Sequence, residues 1–137
     1  MTPTAELVRQ ASEFTTYDDV FALALANSRL VRLSPDSNRW TAAFYEVWKE
    51  LGDQIPELRK LAFDERPPLP PQCEEASQLI MTLAMSRYLS LPNPTFPHIA
   101  MTRAQKSRVK RERANLLEQY QHQMPAVVRI LEKHLAL

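Results

Sequence analysis

A chain of 137 residues fits one domain with a single core, by the usual ~100–200 residues per domain, and its lone cysteine, Cys73, excludes an internal disulfide and a cysteine-paired metal site. One glycine against eleven prolines argues against tight hairpins and phosphate-cradling loops, which need glycine where the backbone takes positive φ. The net charge of +1 hides an asymmetry: residues 1–100 carry 9 basic and 13 acidic side chains, a balance of −4, whereas residues 101–137 carry 8 and 3, a balance of +5.

Abundant Leu, Ala, Glu, Arg and Gln, with turns marked by proline, point to an all-α fold. The expectation is one helical bundle of five to six helices over residues 1–137, with no sheet and with proline-rich connectors at 64–71 and 92–101. The longest apolar run, residues 20–26, is far short of the ~20 residues of a membrane span, and residues 1–20 lack a basic start followed by an apolar stretch. A soluble chain is expected, without membrane contact. With a single cysteine, a cytoplasmic location is expected.

In chain order, Thr2-Pro3 has the form of an N-cap with proline at the first helical position, opening a short helix to about Phe14. Thr15/Thr16 opens a second helix, with Asp18 and Asp19 in its first turn, where the helix dipole favours negative charge. Its sequence YDDVFALALANSRLVRL is apolar nearly all round, which suits a central position. Ser34-Pro35-Asp36 starts a third helix, whose Trp40, Phe44, Val47, Trp48 and Leu51 share one face. Gly52 sits where a left-handed residue would stop that helix. A short helix over 55–63 follows, capped by Asp53, and PPLPP at 67–71 cannot be helical. Residues 72–91 return to a helix with a wide apolar face, and LPNPTFPHIA forms an extended loop. Thr102 then caps a helix running to about Gln123, where Pro125 kinks it or starts another.

Residues 102–115, TRAQKSRVKRERAN, place six Lys or Arg among eleven residues with one acid, Glu112. With Arg103 at zero and 100° per residue, Lys106, Lys110 and Arg113 fall near about 300°, 340° and 280°, so four cations share a stripe ~80° wide. Arg108 and Arg111 lie at about 140° and 80°. Like charges at i, i+3 and i, i+4 repel by a few tenths of a kcal/mol per pair. A polyanion would relieve that repulsion and gain from counterion release. About five phosphate contacts on a single strand would give a slope of log K against log salt of roughly −3 to −4. Such charge recognises backbone, not sequence. An acidic protein surface and a plain solvated face are the competing readings. The density of like charge ranks nucleic acid first, because an ordinary solvated helix mixes signs.

Trp40, Phe44 and Trp48 have helical spacing and are core residues before they are stacking platforms. Phe96 and His98, in the proline-bounded loop ahead of the basic helix, are the candidate base-stacking pair, with a local hydrophobic plug as the plainer reading of Phe96. His98, His122 and His134 have no metal-ligand spacing. Asp18-Asp19 and Glu74-Glu75 diverge by about 100° on a helix and cannot act on one bond as acid and base. Glu74 and Glu75 also oppose activation of Cys73. Without a nucleophile and base, a phosphate loop or a metal cluster, the chain is expected to be neither an enzyme nor a binder of cofactor, metal or small-molecule substrate.

The basic run Arg103, Lys106, Arg108, Lys110, Arg111 and Arg113 on a nearly glycine-free helical bundle resembles the small subunit of type I CRISPR interference (Cascade) complexes. The resemblance spans the chain as architecture and includes no family motif. It implies a non-catalytic subunit that stacks in several copies beside other protein subunits and holds a guide–target hybrid or displaced DNA strand on basic surfaces. In several subtypes that subunit is translated from an internal start, which a chain opening at Met1-Thr2-Pro3 with a helix cap would fit. The reading from the residues alone is an RNA- or single-stranded-DNA-binding module. The alternative is a helical protein-interaction module docking an acidic partner.

Overall fold

Seven consecutive apolar residues, 20–26, leave no polar side for a helix to turn to water, and every one of them is buried. The computed structural model describes residues 16–94 and 97–137. The helix expected over 2–14 and the candidate stacking residue Phe96 lie outside them. Helix α1, Tyr17–Asn27, is the one around which the others pack. It starts at Thr16, whose backbone N–H donates to the Asp19 carboxylate at 3.1 Å, the return half of a capping box.

The sequence pattern carries this helix to residue 33, but it stops at Asn27. Asn27 Nδ2 donates to the Leu23 carbonyl at 2.8 Å and Ser28 Oγ to that of Leu25 at 2.7 Å. Side chains that take last-turn carbonyls compete with continuation of the ladder. The chain then extends, and strand β1, Arg32–Leu33, pairs antiparallel with β2, Ile99–Ala100, in the register Arg32↔Ala100 and Leu33↔Ile99. Single bridges from Ser90 to Ala100 and from Leu33 to Ala136 extend the pairing. The fold is therefore mostly helical with one small sheet, and the expectation of no sheet is corrected. Two-residue strands are too short to show an alternating pattern, and their pairing is set by contacts more than sixty residues apart.

Helix α2, Ser37–Leu51, is capped by Asp36, which accepts from the Asn38 N–H at 2.9 Å. Its buried face is Trp40, Ala43, Phe44, Val47 and Leu51. Phe44 stacks on Phe21 of α1 with ring centroids 3.9 Å apart, Trp40 meets Phe44 edge-on, and the Trp40 indole N–H donates to the Ser34 carbonyl at 2.6 Å. Gly52 follows with φ −58°, not the left-handed conformation expected of it. Its requirement is space: a Cβ there would stand 2.5 Å from the Trp48 carbonyl oxygen.

A 3₁₀ turn, Pro56–Lys60, takes the place of the short helix expected at 55–63. The proline segment after it closes on itself. Asp64 and Gln72 exchange both backbone hydrogen bonds, at 2.8 and 3.1 Å, and Leu69 N–H donates to the Arg66 carbonyl at 2.9 Å around a cis Pro67–Pro68 peptide. The proline-rich connector at 64–71 is thus a closed loop.

Helix α3, Glu74–Met85, ends six residues before the apolar pattern does. Arg87 N–H donates to Ala84 and Tyr88 N–H to Leu83, both at 2.9 Å, the two bonds of a Schellman stop, with buried Leu83 and Tyr88 at its apolar contact positions. The residue at its left-handed position is Arg87, φ 64°. Helices α4, Arg103–Glu112, α5, Ala114–Gln119, and α6, Met124–Leu135, complete the fold. The continuous helix expected from 103 to 123 is broken at Arg113 and Tyr120, whose backbones leave helical values (φ −121° and −113°). α1 lies against α4 and α6, and α2 packs along α6. Among the described residues no helix is long and apolar enough to cross a membrane.

Because a side chain in the left-handed region is strained, Arg87→Gly is expected to stabilise the fold by about 0.5–1 kcal/mol, net of glycine's greater unfolded-state entropy. Urea unfolding monitored by helical circular dichroism measures the shift.

Candidate nucleic-acid interface

Helix α4 is set rigidly before any of its charges is considered. Thr102 and Gln105 form a full capping box: Thr102 N–H donates to Gln105 Oε1 at 2.7 Å, and Gln105 N–H donates to Thr102 Oγ1 at 3.2 Å. The Gln105 amide also donates to the Arg87 carbonyl at 3.3 Å and to Ser90 Oγ at 3.2 Å, tying the helix start to the stop of α3. Val109, the only large apolar residue of the helix, is fully buried and sets which side faces the core.

Two of the six cations turn toward α1 and hold its ends. Lys106 Nζ donates to the Ser28 carbonyl at 2.6 Å, beside the carbonyl end of α1. Arg113 Nε donates to Asp19 Oδ1 at 2.7 Å in the first turn of α1. A cation at a helix C-terminus and a carboxylate at its N-terminus both complement the dipole. Burial pushes the Lys106 ammonium below its usual pKa, and the neighbouring Lys110 adds to the depression. Burial also works against Arg113, but its hydrogen bond and ion pair with Asp19 outweigh this and hold it charged.

Arg108 is half-engaged. Its Nε donates to Glu112 Oε1 at 2.9 Å, its Nη1 to the Ser86 carbonyl at 3.1 Å, and its guanidinium lies 5.1 Å from the centre of the Tyr88 ring. Tyr88 donates to the other oxygen of Glu112. Hydrogen bonds from Tyr88 and Arg108 hold the Glu112 carboxyl below the usual carboxylate range.

Arg103, Lys110 and Arg111 remain. All three are exposed, and among the described residues no carboxylate pairs with them. The six predicted cations therefore divide by direction. The stripe of Arg103, Lys106, Lys110 and Arg113 is not one free surface, because Lys106 and Arg113 flank the buried Val109 ridge. On the wheel Val109 falls near about 240°, within ~60° of both, and the solvent side is centred opposite, on a sector running from Lys110 through Arg103 to Arg111. The position of Val109 was the available signal for this division. The partners Asp19 and Ser28 could not be read from it.

His98 is half-buried and lines an open cavity of about 360 Å³ with Ser90, Leu91, Asn93, Ala100 and Thr102, next to the start of α4. Trp40 and Phe44 are core residues, and Trp48 packs with Phe63 and Tyr45 at the edge of the core.

A groove of about 470 Å³ runs between α2 and the proline loop and is lined by Tyr45, Lys49, Pro70, Pro71 and His134 among others. Glu46 on its wall is hydrogen-bonded by His134 Nε2 at 3.0 Å and by Lys133 Nζ at 2.9 Å, and these bonds hold its carboxyl low. Burial raises the Cys73 thiol pKa, and its Sγ lies 3.2 Å from Glu75. A raised thiol pKa means less thiolate and low reactivity. No group of three or more His, Cys, Asp or Glu able to hold a metal ion occurs among the described residues.

Compared with protein-family models, curated proteins and solved structures, the chain finds no match.

The division of the cations can be tested by stability alone. Lys106→Ala and Arg113→Ala are each expected to cost about 1–2 kcal/mol, the loss of a partly buried charge-assisted hydrogen bond. Alanine at Arg103, Lys110 or Arg111 should stay within ~0.5 kcal/mol of the parent. Urea unfolding of the five variants separates the two groups.

Proposed function

We propose that the chain is a non-catalytic module that binds the sugar–phosphate backbone of RNA or single-stranded DNA on the outer face of α4. The observation that carries this reading is the trio Arg103, Lys110 and Arg111: three unanswered cations on the solvent side of a helix fixed at its start and from beneath. Arg108, with one face on Tyr88 and its charge shared with Glu112, is an auxiliary contact. Lys106 and Arg113 serve the fold and contribute only to the local potential. Contacts of this kind position a strand without reading its bases.

A role as a small subunit of a ribonucleoprotein of the CRISPR interference type, beside other subunits and copies of itself in the cytoplasm, rests on the architectural resemblance alone and belongs to the same proposal. A second reading, docking on an acidic protein, draws on a different observation. Met81 and Met85 are 53% and 80% exposed one turn apart on α3, and Ser86 beside Met85 holds Arg108. Polarizable methionines beside cations would suit an amphipathic acidic segment.

Three to four phosphate contacts predict a slope of log K against log salt of roughly −2 to −3 on a single strand. The combined change R103E, K110E and R111E is expected to abolish binding while helical circular dichroism is retained. Fluorescence anisotropy with a labelled mixed-sequence oligonucleotide across a salt series is the measurement. A flat salt response, or unchanged binding by the triple variant, rejects the reading.

A further inference from the structure

One residue of the outer face is not a cation. Ser107 is exposed in the middle of α4, with Arg103 four residues before it, Lys110 three after and Arg111 four after. Residues three and four apart on a helix have Cβ atoms about 5–6 Å from each other, so these cations surround the serine hydroxyl on one side of the helix.

The state of that hydroxyl is the second observation. Elsewhere in this fold mid-helix or helix-end hydroxyls turn back to the carbonyl four residues earlier: Thr41 to Ser37 at 2.9 Å, Thr82 to Gln78 at 3.1 Å and Ser86 to Thr82 at 3.2 Å. The Ser107 hydroxyl makes no hydrogen bond among the described residues. Serine has lower helix propensity than alanine, and this one neither caps, packs nor back-bonds. Its small side chain leaves a recess between three long cationic ones, and its hydroxyl can donate into that recess.

We infer that Ser107 is the floor of a phosphate clamp, in which one backbone phosphate of a nucleic-acid strand sits between Arg103, Lys110 and Arg111 and accepts a hydrogen bond from Ser107 Oγ. This rests on the function proposed above and adds the residue that fixes where on the helix the strand is held. A polymer is favoured over a lone phosphate ion because exposed ion pairs are individually weak. A chain of phosphates adds contacts at neighbouring cations and releases counterions at each.

The test compares Ser107→Ala, Ser107→Asp and Asn115→Asp in the full chain, with binding of a fluorescein-labelled mixed-sequence single strand read by anisotropy at several salt concentrations. Asn115 is exposed on α5, outside the clamp, and its change adds the same charge. S107A is expected to weaken binding about three- to tenfold with the salt slope unchanged, since a neutral donor is lost and no cation. S107D should weaken it more than about tenfold, and N115D less than about threefold. If the unsubstituted chain binds with a salt slope but S107A matches it and S107D matches N115D, the clamp is overturned and the proposed function stands. If the unsubstituted chain does not bind the strand, both fall. Vesicles of phosphatidylserine in phosphatidylcholine form the second arm. Binding to these with the same order of variants, and none to the oligonucleotide, assigns the phosphate to a lipid headgroup and overturns the nucleic-acid assignment.

Discussion

A helix buried through its middle, as at residues 20–26, has those side chains satisfied by packing, yet its two ends still present backbone groups that no intrahelical bond can serve. In this fold α1 is that helix, and α4 is laid antiparallel against it so that Arg113 meets Asp19 at one end and Lys106 meets the Ser28 carbonyl at the other. The remaining packing follows from the same centre. α2 brings Phe44 onto Phe21, α6 closes over α1 and α2, and the short β1–β2 pairing stitches the exit of α1 to the entry of α4.

The basic helix is therefore part of the scaffold before it is a surface. Its inner side is consumed in holding α1, its start is tied to the end of α3 through Gln105, and Arg108 leans on Tyr88 with Glu112 beneath it. Cations carried on an element so constrained lose less backbone freedom on meeting a ligand than the same cations on a loop. Preorganisation of this kind lowers the cost of binding and leaves on-rate to the electrostatic field.

What could be read from the chain was what short-range periodicity and end chemistry encode. Thr16, Asp36 and Thr102 each announce a helix start, the apolar run at 20–26 announces a buried one, and Pro125 marks the last helix. The misreadings occur where distant partners decide. The β pairing joins residues 33 and 99, whereas the early end of α1 is local, with Asn27 and Ser28 taking last-turn carbonyls and Lys106 only meeting the Ser28 carbonyl beyond them. The stop after α3 falls on Arg87 in a left-handed conformation that a search for glycine passes over, while Gly52, the chain's only glycine, serves a close approach instead. In the site, charge density was legible at once. Direction was not, because a cation flanking a buried ridge and a cation facing water look alike until Val109 is fixed as inward.

Once three cations are assigned to the fold, the others become harder to explain by folding. Lys106, Arg108 and Arg113 each have a specific acceptor, and the helix would keep its cap, its buried valine and its contacts with α1 and α3 whatever stood at 103, 110 and 111. Like charges there raise the electrostatic cost of the helix, as the depression of the Lys106 pKa by Lys110 illustrates. Glutamate at any of the three would relieve that cost through i, i+3 or i, i+4 pairing, and the chain has glutamate in place only at 112, where it serves Arg108 and Tyr88. A surface that forgoes an available local gain at three positions on one side of a rigid helix is what the proposed binding of an anionic strand rests on. Such a strand would return that gain because it is anionic, extended along the helix and indifferent to which of the long side chains it meets first.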